Sequence, residues 1–231
     1  MKKVFGLLSC LVFAINSWAQ PTSNDIPNYE TKKVTLTSGV EGSILQFASL
    51  TSGTIGYKTI PRYTYFFNVG VDINFHLQKN IVPFTGFQIK NIGLITQIND
   101  SIKYKERVYT IGAPLGVKFF SNNKNFMFKA GGDVALAFNY KLKYFLNNDK
   151  LYKKNEFFSN SASLLFASVF AGFSYSGFTL TGNYYLTNFY NPSITSSVAR
   201  LITISLGIHI DESFSKKVRR DDTDSKTVSN R

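Results

Sequence analysis

His76 and His209 are the two imidazoles of the chain. Two histidines could relay a proton or share a metal. By strand parity both fall on the polar face of the segments that carry them, near the same end of the molecule. In that setting they read as polar lining residues. A lipid-modifying hydrolase would need a serine and a histidine together on the lipid side near the external rim, and neither histidine is placed so. Cys10 is the single cysteine and lies in the leader, so the mature chain offers no thiol, disulfide or Cys metal site. Gly131-Gly132 falls mid-strand and makes no phosphate loop, and no two carboxylates are spaced for acid–base work. The residues point to no catalysis, no cofactor and no metal.

Two groups of charges remain. Asp72, Lys90, Lys118, Lys129 and Asp133 point to the polar face of their strands. An inward charge without a partner is costly, so these five predict an interior salt-bridge and hydrogen-bond network. The second group lies in the long connections: Lys103, Lys105 and Arg107 with Tyr104, then Lys150, Tyr152, Lys153 and Lys154 with Phe157 and Phe158, following Lys141 and Lys143. A basic, aromatic external rim suits outer-membrane lipid, lipopolysaccharide phosphates or an acidic envelope protein. The bland alternative is a solvated surface on a basic chain. Nucleic acid is excluded by compartment and by the lack of any nucleic-acid motif.

The elements that position these groups read as strands. In "YTYFFNVGVDINFHL", residues 63 to 77, every odd position is apolar, and all but one of the even positions is polar or glycine. That is period two, not 3.6. Similar segments fall at about 42–50, 82–98, 107–120, 126–144, 162–175, 178–190 and 200–210, eight in all. Asn91 and Ala113-Pro114 are the places where bulges are expected, the second because proline lacks a ladder donor. Connections alternate short ("QKN", "SNNKN", "SG") and long (about 51–62, 99–106, 145–160 and 191–199). Across the Ser176-Gly177 turn, a two-residue hairpin pairs Tyr175 with Phe178, and both strands then agree on their greasy face. The "QKN" turn sets Asp72 opposite Gly86.

These features predict an all-β fold: an eight-stranded antiparallel up-and-down transmembrane β-barrel over residues 41–214, greasy outside and polar within. Tyrosines at the external ends (Tyr63, Tyr65, Tyr140, Tyr144, Tyr184, Tyr190, with Phe138) and phenylalanines at the periplasmic ends (Phe75, Phe119, Phe126, Phe128, Phe178) read as interfacial girdles. An interior filled by side chains disfavours a conducting pore.

The start, "MKKVFGLLSCLVFAINSWAQ", has Lys2 and Lys3, an apolar stretch and Ser17-Trp18-Ala19 before Gln20. Residues 1–19 read as a cleavable signal peptide. A lipobox ending at Cys10 is the rival, but it leaves too short an apolar core. Removing the leader takes two lysines and no acid, so the charge of +12 becomes +10. Residues 20–40 read as a periplasmic lead-in and 215–231 as a charged, disordered periplasmic tail. An even strand number puts both termini in the periplasm, with the barrel in the outer membrane.

"IGAPLGVKFF" (111–120) and "FKAGGDVALAF" (128–138) resemble the corresponding strands of the PorT-like outer-membrane β-barrel proteins of Bacteroidota. The resemblance covers about 40–210. It implies an envelope protein, in some members linked to type IX secretion or gliding, without a shared activity. The chain departs from many outer-membrane barrels in continuing for seventeen residues past Phe214, the outward-phase aromatic after the last strand.

Overall fold

The computed structural model describes residues 34–64, 67–78, 80–122 and 125–211. The expected signal peptide, most of the lead-in, the tail, Phe214 and Tyr65 lie outside them.

Among the described residues ten strands form: β1 (Val34–Ser52), β2 (Ile55–Ile60), β3 (Phe67–Phe75), β4 (Ile81–Gln97), β5 (Ile102–Phe120), β6 (Phe126–Leu146), β7 (Asp149–Phe157), β8 (Leu165–Tyr175), β9 (Phe178–Tyr185) and β10 (Ser197–Asp211). β2 and β3 share one place in the ring, and β7 pairs with β6 alone. The ring therefore has eight staves, all antiparallel, and β1 closes it on β10 from Thr37 opposite Asp211 to Ser52 opposite Ser197. Closure satisfies the edge groups that an open sheet would leave bare.

The Ser176-Gly177 hairpin has the expected register, with Tyr175 opposite Phe178, Phe173 opposite Leu180 and Ala171 opposite Gly182. Both turn residues have positive φ, 50° at Ser176 and 88° at Gly177, the geometry that matches strand twist. Asp72 faces Gly86 as expected.

Four features differ from the sequence reading. First, strand pairing begins at Val34, so 34–40 belong to β1 rather than to the lead-in. Second, the strand expected at 63–77 spans only Phe67–Phe75, and Tyr63 and Thr64 lie outside any strand. After β2 comes Pro61, which has no donor; Arg62 bridges β1, exchanging 2.9 Å main-chain bonds with Gln46 in both directions, and Thr64 N–H donates to the Ser43 carbonyl at 3.3 Å. Third, Pro114 makes no bulge. The β4–β5 ladder omits the rungs beside Ala113 and Pro114 and resumes in the same register, and Thr85 Oγ1 donates to the Pro114 carbonyl at 2.9 Å. Nor does Asn91 bulge. Register shifts fall instead at Ile44 on β1, at Leu151 on β7, and on β6, where Tyr109 pairs with Asn139 and Thr110 with Ala137, leaving Phe138 as the extra residue. Fourth, the connection expected at 145–160 is mostly strand. It folds back at Asn147-Asn148, with φ 50° and 71°, to form β7.

Burial is inverted relative to a water-soluble fold. Leu115, Val134, Leu165, Val169, Phe173, Ile202, Leu206 and Ile208 are exposed on the outer wall, while Asp72, Lys118, Lys129, Asp133, Thr179 and Ser205 are buried inside. The interior has two layers. Ionic and amide side chains fill the half near the short turns. The half near the long connections is an apolar core of Leu50, Ile92, Leu94, Val108, Phe166, Phe189 and Leu201 with their neighbours. A uniformly polar lumen was expected, so the second layer is a correction.

Candidate functional site

Inside the lower half, three ion pairs tie the staves together. Lys118 on β5 meets Asp72 on β3 at 2.8 Å and donates to Asn74 Oδ1 at 2.7 Å. Its ammonium also lies 4.7 Å from the centre of the Phe84 ring. Lys90 on β4 meets Asp133 on β6 at 3.0 Å. Lys129 on β6 meets Glu41 on β1 at 2.8 Å, and Thr181 Oγ1 donates to the same carboxylate at 3.2 Å. β6 and β1 stand on opposite sides of the ring, so this last pair crosses the lumen. All five interior residues named from the sequence are therefore buried in pairs, and Glu41 completes the set. Glu41 was missed because the first strand was taken to start one residue later. Among these groups lies a cavity of about 40 Å³, room for only a few water molecules.

The gap left by the broken stave is filled by side chains. Asn91 N–H donates to Asn68 Oδ1 at 3.1 Å, and its carbonyl accepts from Gln46 Nε2 at 2.8 Å. Arg62 reaches Gln46 Oε1 at 2.5 Å and Asn91 Oδ1 at 2.9 Å. Main-chain groups on a buried stave must find partners, and here amides replace the missing neighbour. Arg62 carried no sequence signal beyond following a proline within an alternating run.

At the long-connection end, Glu106 is buried between two phenols. Tyr140 Oη donates to Oε1 and Tyr190 Oη to Oε2, each at 2.5 Å. Burial, then the neighbouring carboxylate, push the Tyr190 hydroxyl well above the usual phenol range, so it stays a donor. Glu106 lines a recess of about 210 Å³ together with Leu50, Tyr57, Ile98 and Tyr104. Both carboxylate oxygens are occupied by donors, which makes this a structural clasp.

The β6 bulge has a larger effect on the surface. Up to Ala137, alternate residues keep the expected facing, but beyond Phe138 the parity inverts. Tyr140 and Leu142 turn inward to the apolar core. Tyr144 pairs with Tyr104 and Tyr152 on that same side, the Tyr104 and Tyr144 rings 5.1 Å apart. Tyr140, Tyr144 and Tyr190 therefore leave the external girdle. Tyr63 and Tyr184 remain exposed, and Phe75, Phe119, Phe126, Phe128 and Phe178 are exposed at the other end as expected.

Lys141 and Lys143 turn outward. They pair directly with Arg107 and Lys105 on β5, while Lys153 on β7 lies opposite Lys143 and Lys150 opposite Phe145. Lys141 and Arg107 both lie over the Tyr109 ring, at 4.8 and 5.5 Å, and Lys105 lies 4.9 Å from the centre of the Phe145 ring. Lys103 donates to Asn148 Oδ1 at 3.1 Å. The residues expected on loops thus sit on strands and converge on one face. Tyr152 and Lys154 are the exceptions, since their partners Tyr144 and Leu142 face inward. Lys154 pairs with Glu156 at 2.7 Å. That hydrogen bond raises the Lys154 pKa, and with the Ser159 hydroxyl it lowers that of Glu156.

His76 is exposed beyond the end of β3, with Nε2 2.7 Å from Thr35 Oγ1. The backbone of His209 lies opposite Gly39; its side chain is not among those described. Among the described residues no three His, Cys, Asp or Glu side chains cluster as metal ligands.

These features define a closed, eight-stranded antiparallel β-barrel with an apolar outer wall and a packed interior. Solved structures similar to it include the attachment invasion locus protein Ail of Yersinia pestis (10% identity, TM-score 0.39, 76% of this chain and 99% of that one) and Neisserial surface protein A, NspA (13% identity, TM-score 0.39, 78% and 97%). Ail in complex with the heparin analogue sucrose octasulfate is a third (10% identity, TM-score 0.33, 77% and 97%). The fold assignment rests on the strand pairing itself. No family model matches the chain, and no curated protein does.

Proposed function

We propose that this chain is an outer-membrane protein of the cell envelope, a sealed and non-enzymatic barrel that anchors an extended external hairpin for interaction. The observation that carries the reading is the inverted burial. Exposed Leu115, Val134 and Ile208 against buried Lys118, Lys129 and Asp133 would be a gross liability in water, and is what a lipid surround requires. A strand needs about 9–11 residues to cross a bilayer. β5 and β6 have 19 and 21, so their ends stand clear of the lipid and carry β7 with them. The packed interior supports anchoring over conduction. On this reading residues 1–19 are the export signal, both termini face the periplasm, and the partner is lipid phosphate or an acidic envelope protein.

The PorT-like resemblance supports a second reading, an accessory of type IX secretion or gliding. Its motifs also have a plain geometric cause. A Cβ on Gly131 would lie 2.3 Å from the Leu115 carbonyl, and one on Gly116 would lie 2.6 Å from that of Ala130. These glycines are imposed by close-packed staves, whatever the barrel does.

The test is refolding of the leader-less protein into detergent micelles and electrophoresis with and without boiling. A heat-modifiable band, together with aggregation when no amphiphile is present, is expected. A monomer freely soluble in buffer alone would overturn the proposal, and discrete conductance in planar bilayers would overturn the sealed interior.

A further inference from the structure

We propose that the outward face of β5, β6 and β7 is a docking site for the phosphates of a lipid seated in the surrounding leaflet. The proposal rests on the outer-membrane reading above and assigns it a place on the wall. Lys105, Arg107, Lys141, Lys143, Lys150 and Lys153 share this face, and none makes an ion pair with a described carboxylate. Lys105, Lys143 and Lys153 lie directly side by side across three strands. Like charges in that position repel and destabilise a sheet. The interior lysines Lys90, Lys118 and Lys129 are each matched to an acid, and buried Arg62 to two side-chain amide oxygens, whereas the outer set has no described carboxylate and marks where an external anion belongs.

Its height on the wall selects the class of anion. Immediately below the cations on the same face come Tyr109 and Phe138, their rings 6.3 Å apart. Below those lie exposed Leu115 and Val134. A molecule spanning the whole stretch would have acyl chains at its foot and phosphate above, as a phosphorylated membrane lipid does. Adjacent strands are about 4.8 Å apart and alternate residues about 7 Å. A single phosphate can therefore reach Arg107 together with Lys141 or Lys143, Arg through paired N–H donors and Lys as a point charge. The bulge at Phe138 is what builds the site, because without it Lys141 and Lys143 would face the lumen.

The experiment uses the leader-less chain in phosphatidylcholine nanodiscs, with diphosphoryl lipid A as probe and native mass spectrometry as readout. The variant carries Lys105→Gln, Arg107→Gln, Lys141→Gln and Lys143→Gln. A control carries Lys58→Gln and Arg200→Gln, which remove two cations elsewhere near the rim. Heat-modifiability is read on every sample, so a failure to fold, which tests the barrel reading, is separated from a failure to bind. Expected is at least a tenfold loss of lipid A retention in the fourfold variant and none in the control, with phosphate-free lipid A retained weakly by both. Equal retention of phosphorylated and phosphate-free lipid, or of variant and parent, overturns the proposal. Displacement of the lipid by inorganic pyrophosphate at comparable concentration would show a site for soluble anions and would overturn the lipid assignment.

Discussion

Below Phe138, Lys90, Lys118 and Lys129 point in, and each meets a carboxylate. Above it, Lys141 and Lys143 point out and meet no described carboxylate. One inserted residue separates the two regimes on a single strand. The lower lysines sit in a closed interior, where an unmatched charge is intolerable, so the sequence supplies Asp72, Asp133 and Glu41. The upper ones sit on the outer face, where repulsion is cheap and an outside anion can relieve it. The difference separates charge that holds the barrel together from charge that is left for a partner.

The sharpest way to break this comparison is to unpair an interior cation. Asp133→Ala leaves Lys90 buried alone and should cost about 3–5 kcal/mol in urea unfolding from lipid vesicles. Lys90→Met with Asp133→Leu should recover most of that loss, and failure to do so would mean that the pair does more than satisfy itself. Next, Tyr140→Phe removes one of the two donors to Glu106 and should cost about 1–3 kcal/mol by the same assay. Tyr140 belongs to the inward set only because of the bulge, so a neutral result would place it outside. Third, Lys143→Gln on the outer face should stabilise the barrel by about 0.2–1 kcal/mol by relieving cross-strand repulsion. This sign is opposite to that at Asp133, and a destabilisation would show a hidden partner. The smallest effect is at Lys154→Ala. Its bond to Glu156 is solvent-exposed, and thermal unfolding of the variant should overlay the parent.

Much of the barrel was legible because an apolar outer wall and packing inside impose period two on most staves. The Ser176-Gly177 register and the Asp72–Gly86 pairing followed from turn length alone. The five interior charges could be named by parity, since all lie below the bulge. What escaped notice was set by residues that fit either face. Phe138, Tyr140, Leu142 and Tyr144 continue the apolar alternation of β6 without interruption, so nothing in the string marks the inversion. Tyrosine suits a membrane rim and a buried carboxylate clasp equally well. β7, "DKLYKKNEF", is polar on both faces because neither packs on a core, and it read as a loop. Pro114 misled in the opposite direction. Two omitted rungs accommodated its missing donor, where a bulge had been expected.

The stitched gap around Arg62 bears on how such a cylinder breathes. Along most of the described wall, neighbouring staves are clasped by rows of peptide groups that must part together. At Asn91 the N–H is held by one asparagine side chain and the carbonyl by one glutamine. Rotamers turn faster than ladders unzip, so hydrogen exchange should begin at that amide, and mechanical compliance of the otherwise stiff shell gathers on one flank.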